Sequence, residues 1–480
     1  MTEKFDDYKL SSEILKSIRD LGYDAMTEVQ KKTFQYILDG RDVIVKSQTG
    51  SGKTAAFAVP ICENLNWEDN KPQVLILVPT RELAIQISED FKNIGRYKRL
   101  KPISVFGKAS FKEQERALKQ KTHIVAGTPG RVLDHIERGT LNTENIKYLV
   151  LDEADEMLNM GFIEQVENVI TKLPRNRQTM LFSATIPEKI KNLCTKYMKN
   201  EVNIEIARKG IVNSNIEQSK IIVPEMEKYN LLNNILLNQM PESSVVFCRT
   251  KENVDKVFEF LNKKSYSAQK IHGGMMQKDR TLVMQRFKTK EFRILVATDV
   301  AARGIDVDNI SIVINFDIPM EKESYVHRIG RCGRASNKGK AITFVTPYED
   351  KFLKEIEEYI ESEIQEGDKN SYIVKSSEKE KAEAFLKKSN KKVKTKGTNV
   401  GKDIVKLYFN GGKKKKIRVL DLVGTISSID GIKSDDIGII DIQDNCSYVD
   451  ILNGKGKMVM KVMKEKTVKG KKLKVEIAKK

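Results

Sequence analysis

Val43-Ile44-Val45-Lys46-Ser47-Gln48-Thr49-Gly50-Ser51-Gly52-Lys53-Thr54 decides the fold. An apolar run enters a glycine-containing loop, and the loop leads into the helix-compatible Ala55-Ala56-Phe57-Ala58-Val59. Strand, loop and helix in that order gather unpaired backbone N–H groups and the positive end of a helix dipole around one point, where a polyphosphate can sit. Lys53 adds a positive charge there, and Thr54 adds a hydroxyl for a magnesium ion. The loop begins with Ser47 where the pattern G-x-x-x-x-G-K-[ST] begins with Gly. Because a Gly-Lys-Thr triplet also occurs in ordinary turns, the reading needs a second nucleotide motif.

Downstream, Val74 to Val78, Ile103 to Val105, His123 to Ala126 and Tyr148 to Leu151 are short apolar runs separated by helix-like segments. Continuous rather than alternating hydrophobicity marks strands buried on both faces, as in a doubly wound α/β domain. Ligands of such sheets collect at the strand C-terminal ends. Asp152-Glu153-Ala154-Asp155 stands at such an end and is the second motif. Asp152 can hold magnesium through water, and Glu153 can orient or deprotonate a water that attacks a γ-phosphate. Upstream, Phe5 to Leu21 reads as a helix-rich opening ending in Gly22-Tyr23, and the Gln30 amide is suited to an adenine edge. After Ile204 the pattern restarts, with strands expected at Ser219 to Val223, Ser244 to Cys248 and Arg293 to Ala297.

A chain of 480 residues exceeds what one core supports and implies about three domains. The expected boundaries are 1–205, 206–365, a basic linker 366–402 and a module 403–480. The charge is unevenly spread: of the net +19, residues 371–480 carry +15, from 28 Lys and Arg against 13 Asp and Glu. Excess positive charge favours a polyanion by counterion release, and nucleic acid is the usual one. An acidic membrane would require bulky apolar anchors on an amphipathic helix, which Lys387 to Lys402 lacks. With no apolar stretch of membrane-spanning length and a polar, acidic start, the expected location is the cytoplasm, away from membranes. Five cysteines and four histidines are dispersed, with no C-x-x-C pair, so neither a disulfide framework nor a zinc site is expected.

In the tail, expected strands at Ile404 to Phe409, Ile437 to Ile442, Tyr448 to Ile451 and Lys472 to Ala478 alternate with helices at Val419 to Ile429 and Lys457 to Val468. The order βαββαβ fits a small α+β module of the RRM-like kind. Tyr408, Phe409 and Tyr448 are its available stacking residues, and Cys446 occupies one place where an aromatic would stand. Lys413, Lys414, Lys415 and Lys416, with Arg418, make a dense cationic loop before a helix, a candidate RNA contact.

Residues 1–365 resemble the DEAD-box RNA helicases of superfamily 2, on many separate motifs. The resemblance implies two RecA-like doubly wound parallel-sheet domains, ATP and Mg2+ as cofactors, and RNA-stimulated ATP hydrolysis with local duplex unwinding. It implies adenine recognition by Phe5, Tyr23 and Gln30, with Met26 where the family has Pro. Ser47, Gln48, Thr49, Gly50, Ser51, Gly52, Lys53 and Thr54 would hold the phosphates, and Thr54 with Asp152 the metal. Pro79, Thr80, Arg81, Gly107, Thr128 and Arg131 look like RNA-backbone residues of the first domain, with Lys108 replacing the second of two glycines. Ser183 and Thr185, with His327, would couple hydrolysis to strand separation. Arg249, Gly273, Arg280, Thr298 and Asp299 would line the RNA path of the second domain, and Asp306 would meet the ribose. Arg331 and Arg334 correspond to finger residues for the γ-phosphate, with Cys332 where the family has Thr. The tail is similar to that of the DbpA-type branch. That similarity implies a large-subunit ribosomal RNA hairpin as target, with Tyr408, Tyr448 and the lysine loop on RNA, in precursor particles and as a monomer. An ATP-gated RNA clamp, or a general RNA chaperone with a nonspecific basic tail, is the alternative. A DNA translocase is disfavoured because the family pattern contacts backbone and 2′-hydroxyls.

Overall fold

The computed structural model describes residues 3–47, 50–206, 215–299, 310–333, 338–389 and 403–478. The chain forms two compact units, one of residues 1–206 with 396–480 and the other of residues 207–395.

The first lobe carries strands β1 (Val43–Lys46), β2 (Val74–Leu77), β3 (Pro102–Val105), β4 (Ile124–Gly127), β5 (Tyr148–Asp152), β6 (Gln178–Ser183) and β7 (Val202–Glu205). They form a sheet of order 3-4-2-5-6-1-7 in which every pairing is parallel. Alternate residues feed two separate cores: Val74 and Ile76 point to one face, Leu75 and Leu77 to the other. This is why the strands read as unbroken apolar runs. The helix Lys53–Asn64 after β1 is apolar on nearly every side and accordingly buried. The helix-rich opening expected over Phe5 to Leu21 comes in two pieces. A short 3-10 turn at Phe5–Asp7 is separated from the helix Ser12–Leu21. Ser11, the residue before that helix, donates its backbone N–H and its hydroxyl to the Glu63 carboxylate, which sets where the helix begins.

The second unit repeats the plan. Strands β8 (Ile216–Ile222), β9 (Ser244–Phe247), β10 (Ala268–Ile271), β11 (Ile294–Ala297), β12 (Ile312–Asn315), β13 (Gly339–Val345) and β14 (Gln365–Glu366) form a sheet of order 10-11-9-12-13-8-14. Counted from its own first strand, this is again 3-4-2-5-6-1-7, all parallel. The stretch 366–402, expected as a linker, is one only in part. Its helix Ser376–Lys387 buries Ala382 and Leu386 in the core of this unit, and Arg293 lies over the Phe385 ring at 3.8 Å.

The C-terminal module has an antiparallel sheet of order β16-β17-β15-β20, from β15 (Val405–Phe409), β16 (Ile437–Ile442), β17 (Ser447–Ile451) and β20 (Val475–Ile477). Helices Val419–Ser427 and Gly456–Met463 cover one face, over a core of Leu407, Phe409, Leu422, Val449 and Ile451. The second helix stops earlier than Val468, because a small hairpin of β18 (Thr467–Val468) and β19 (Lys471–Lys472) intervenes. Among the described residues no helix is long and apolar enough to cross a membrane. Cys62, Cys194, Cys248 and Cys332 are free and buried, and burial raises the thiols of the first three, Cys194 to about 12.

Candidate functional site

The phosphate and RNA candidates of the first lobe gather at strand C-terminal ends, the edge on which ligands of parallel sheets collect. Ser47 follows β1, Pro79 and Thr80 follow β2, Gly107 follows β3, Thr128 follows β4, Glu153 follows β5, and Ser183 closes β6.

The phosphate loop is shaped from two sides. The Ser47 N–H donates to the Ser183 carbonyl at 2.9 Å, prolonging the β1–β6 ladder into the loop. Gly52 precedes the helix at φ +90°, and a Cβ there would lie 2.9 Å from Gln30 Nε2 and 3.0 Å from Thr27 Oγ1, so glycine is required. Gln30 donates from Nε2 to the Gly52 carbonyl at 3.2 Å and accepts the Thr27 N–H at 2.8 Å. The amide expected to read adenine is thus tied to the loop expected to hold phosphate. Phe5 is buried, and its ring lies 6.5 Å from that of Tyr23. Gln48 and Thr49 lie outside the described residues, while Gly50 has positive φ and Ser51 begins the turn into Gly52.

Lys53 is buried and donates from Nζ to the Ser47 carbonyl at 3.4 Å. The Ser47 hydroxyl is buried with no hydrogen-bond partner among the described residues. Asp152 is 3% exposed, and burial pushes its carboxyl up to about 6, against the opposing charge of Lys53. A buried lysine, an unsatisfied hydroxyl, outward N–H groups at a helix start and a desolvated carboxylate suit a polyphosphate with its cation. Among the described residues no group of three His, Cys, Asp or Glu side chains gathers to hold a metal. A cation at Thr54 and Asp152 would therefore take most of its oxygen ligands from water and phosphate, the habit of Mg2+.

Glu153 has φ 54°, a left-handed conformation that a non-glycine residue holds at a cost of about 1–2 kcal/mol, and it opens the helix Ala154–Asn159. The last residue of the quartet is the structural pivot. Asp155 Oδ2 accepts from the Ala184 N–H at 3.1 Å, the Thr185 N–H at 2.9 Å and the Thr185 hydroxyl at 3.1 Å. Its own N–H donates to the Ser183 hydroxyl at 3.1 Å. Asp155 therefore binds the acidic quartet to the whole Ser183 to Thr185 loop. Sequence reasoning quoted the quartet without assigning this residue a role. Its signal was a carboxylate three positions after Asp152 at the mouth of a buried strand.

The first lobe's RNA candidates are held by local bonds. Thr80 caps the helix Arg81–Ile94 by accepting the Leu83 N–H, and Thr128 precedes the helix Pro129–Glu137. Arg131 donates to the Ala109 carbonyl at 3.1 Å and to Gln114 Oε1 at 2.9 Å, which fastens the Gly107 to Ala109 loop. Lys108 is exposed at φ 57°, so the position where the family has glycine does require a left-handed backbone.

In the second unit Arg249, Gly273 and Thr298 likewise follow β9, β10 and β11. Arg249 is oriented by protein partners through Nη2, which meets the Ile318 carbonyl at 3.1 Å and Glu349 at 2.5 Å. Arg280 is buried, and Gly273 is exposed. Asp299 is gripped by the buried Arg328 through Nη2 at 2.7 Å and through Nε. Arg328 also donates to the Asp317 carbonyl at 2.6 Å, a positioning role that sequence reasoning did not assign. Arg331 is buried and donates to the His327 carbonyl at 3.2 Å. Cys332 is buried, its thiol directed at the Ile329 carbonyl at 3.1 Å, and takes the threonine position without leaving a hydroxyl to satisfy. Asp306 and Arg334 lie outside the described residues.

In the module, Lys413, Lys414, Lys415, Lys416 and Arg418 are all exposed. Within the expected cationic loop, Lys413–Lys415 forms a 3-10 turn, and the helix Val419–Ser427 follows. The backbone of the turn is stitched to the β16–β17 hairpin: the Lys413 N–H donates to the Gln443 carbonyl and the Lys414 N–H to the Asp444 carbonyl, both at 2.9 Å. Lys414 thus anchors the turn through its main chain and keeps its side chain exposed, whereas Lys415 folds back, donating from Nζ to the Asn410 carbonyl at 2.7 Å. Tyr408 and Tyr448 face each other at 5.6 Å between ring centroids, on the sheet face away from the helices.

Comparison with known proteins gives the family of the chain. The DEAD/DEAH box helicase family matches residues 27–193, the helicase conserved C-terminal domain residues 227–336, and the DbpA RNA binding domain residues 406–477. The ATP-dependent RNA helicase DbpA of Bacillus subtilis (strain 168) is 57% identical over 476 residues, 99% of each chain. The DEAD-box ATP-dependent RNA helicase CshA of Bacillus licheniformis is 46% identical over 358 residues, 75% of this chain and 74% of its own. Dbp5 of S. cerevisiae, solved bound to RNA and ADP BeF3, aligns with a TM-score of 0.72 at 29% identity, over 80% of this chain and 100% of that one. The chain belongs to the DEAD-box ATP-dependent RNA helicases, enzymes that hydrolyse ATP. Within that family it shares its C-terminal RNA-binding domain and nearly its whole length with the B. subtilis DbpA.

Proposed function

We propose that this helicase is targeted to a hairpin of large-subunit ribosomal RNA and acts in assembly of the large ribosomal subunit, in the cytoplasm and as a monomer. The observation that carries the reading is the module itself. It joins a DbpA RNA binding domain match to an exposed run of four lysines and Arg418 on a turn fixed by backbone bonds. Core motifs that meet only backbone cannot choose a sequence, so choice falls to the module.

In this reading Lys53 and the loop hold the phosphates of ATP, and Thr54 and Asp152 would hold Mg2+, which would supply positive charge to the transferred phosphoryl group. Glu153 orients the attacking water, and Arg331 and Arg334 supply positive charge to the same group. Asp155 carries the change to Ser183 and Thr185. Pro79 to Arg81, Gly107, Thr128 and Arg131, with Arg249, Gly273, Arg280, Thr298 and Asp299, take the RNA backbone. Lys413, Lys414 and Lys416 offer their charges to the RNA that the module holds.

The test compares phosphate release and duplex separation with a large-subunit ribosomal RNA fragment and with an unrelated RNA of equal length. A marked preference of the full chain, lost when the chain ends at residue 395, is the expected result. Equal stimulation by both RNAs would favour the nonspecific tail, a reading to which the four exposed lysines also lend themselves. Hydrolysis without duplex separation would favour the ATP-gated clamp.

A further inference from the structure

The open face of the module's sheet carries three carboxylates: Asp450 pairs with Lys406 at 3.6 Å and Glu476 with Lys474 at 2.7 Å, while Asp441 has no Lys or Arg partner among the module's described residues. Register places Lys406 opposite Asp450, Tyr408 opposite Tyr448, and Asp441 opposite Tyr448. These side chains share the face away from Leu407, Phe409, Val449 and Ile451, which are buried under the helices. Glu476, opposite Tyr408 on β20, adds a carboxylate at the edge.

Part of that face is turned from solvent: Asp450 is buried and Asp441, Tyr408 and Tyr448 are half-buried, while Lys406 and Glu476 stay exposed. Within the same compact unit, Lys101 Nζ lies 2.8 Å from Asp441 Oδ1, with both side chains about four-fifths buried. Lys16 Nζ donates to Asn453 Oδ1 at 2.8 Å, and the Arg99 guanidinium donates to the Ser434 carbonyl. Asp450 is 7% exposed, and Arg96 and Lys92 are among the positive charges acting on it; Asp435 acts likewise on Arg99. The five cations come from the helix Ser12–Leu21, the end of the helix Arg81–Ile94 and the loop leading into β3. That loop enters β3 at its N-terminal end, whereas the phosphate and RNA candidates gather at strand C-terminal ends. The contact therefore lies on the opposite edge of the first lobe.

We propose that the carboxylate-bearing sheet face of the C-terminal module is a docking surface whose partner is this cationic rear edge of the first lobe. The Lys101–Asp441 ion pair, with the two hydrogen bonds beside it, acts as a salt-sensitive latch. Docking leaves Lys413 to Lys416 exposed. It also holds them at a constant distance from the motif edge of the same lobe, so RNA held by the module is presented at a high effective concentration instead of at the end of a free tether. The latch does not rest on which RNA the module prefers.

Zero-length carbodiimide coupling of the full chain tests the contact directly. Mass spectrometry should find Lys101 joined to Asp441 at low salt. The junction should fade near 1 M salt, where the screening length falls to about 3 Å. Lys71 and Glu144, 2.7 Å apart within the first lobe, serve as the control pair. If the control junction forms and the Lys101–Asp441 junction does not, the proposal is overturned. For consequence, Lys101→Glu and Asp441→Lys should each raise the KM of bulk ribosomal RNA for stimulated hydrolysis several-fold with kcat unchanged, and the double exchange should restore it. Unchanged KM in the single variants, or additive losses in the double one, would also overturn it.

Discussion

Asp155→Asn changes one oxygen to an amide and nothing in shape, yet it should both weaken the first lobe and uncouple it. Four hydrogen bonds end on this carboxylate: three on Oδ2, from the Ala184 N–H and the Thr185 N–H and hydroxyl, and one on Oδ1, from the Glu156 N–H. An Asn oxygen can serve only one of these sites. With the oxygen kept toward Thr185, the amide N–H faces the Glu156 N–H; turned round, it faces the backbone donors of both Ala184 and Thr185. An orphaned buried N–H costs about 1–3 kcal/mol, and losing the carboxylate charge weakens the surviving bonds, for a total of about 2–4 kcal/mol. Relief of repulsion acts in the other direction, but Asp155 is the last of the influences on Asp152, behind burial, Lys53 and Glu153. Asp155→Ala, which strands all the donors, should cost about 3–5 kcal/mol. Trp67 is the chain's single tryptophan and lies in the first lobe, so urea unfolding followed by its fluorescence reports this lobe. The same Asn variant should retain much of its ATP hydrolysis while duplex separation falls, since the Ser183 to Thr185 loop loses its anchor. A stability within about 0.5 kcal/mol of the unaltered chain would refute the account of the carboxylate as pivot.

Lys53→Ala should remove most ATP binding, whereas Glu153→Gln should keep binding and stop turnover; equal loss of affinity in titrations of the two variants would refute the division of roles. Arg331→Ala should lower RNA-stimulated kcat by up to about 10³ with little change in ATP affinity, and near-normal turnover at saturating RNA would count against the finger assignment. His123 gives a pH dependence with a definite sign. It accepts the Lys101 N–H on Nδ1 at 2.8 Å and donates to the Trp67 carbonyl from Nε2 at 2.9 Å, so only the neutral ring fits, and burial lowers its pKa from 6.5 to about 4. The stability this neutral ring contributes is complete above pH 6.5 and is lost as pH falls toward 4, by about 3 kcal/mol over that window. His123→Asn should flatten the acid limb of the unfolding curve, and an unchanged limb would show that His123 is not its source.

Both parallel sheets are legible from sequence because each central strand is an apolar run flanked by helix-like segments. Their motifs are legible because the strand ends carry them. The order of the strands is not, since a run such as Val74 to Leu77 says that it is buried on two faces and not beside which neighbours. The packing of the helix Ser376–Lys387 into the second unit is hidden for a different reason. Half of its sequence SSEKEKAEAFLK is charged, and only Ala382 and Leu386 are buried, too few to separate it from a solvated linker. Long-range polar partners are equally silent: nothing around Arg249 forecasts Glu349, and nothing around Asp299 forecasts Arg328, residues 100 and 29 positions away. The lysine-for-glycine departure at Lys108 is the converse, since a family pattern and a φ of 57° point to the same backbone requirement.

Charge is where summation along the chain misleads most. A net +15 over residues 371–480 suggests a module attractive to polyanions on all sides. Strand alternation sorts that charge. In β15 and β17 the odd positions Leu407, Phe409, Val449 and Ile451 turn to the core, so Asp450 is sent to the open face opposite Lys406, and the β16–β17 register puts Asp441 on the same face opposite Tyr448. The lysines meanwhile concentrate in the turn at Lys413 to Lys416 and around the β18–β19 hairpin, where Lys469 and Lys471 donate to the Lys416 and Lys415 carbonyls. A period of two thus separates a carboxylate-bearing face from a basic edge that composition averages together. Fields at a surface follow from where charges stand, so the same small module can hold RNA with one side and the cationic first lobe with the other.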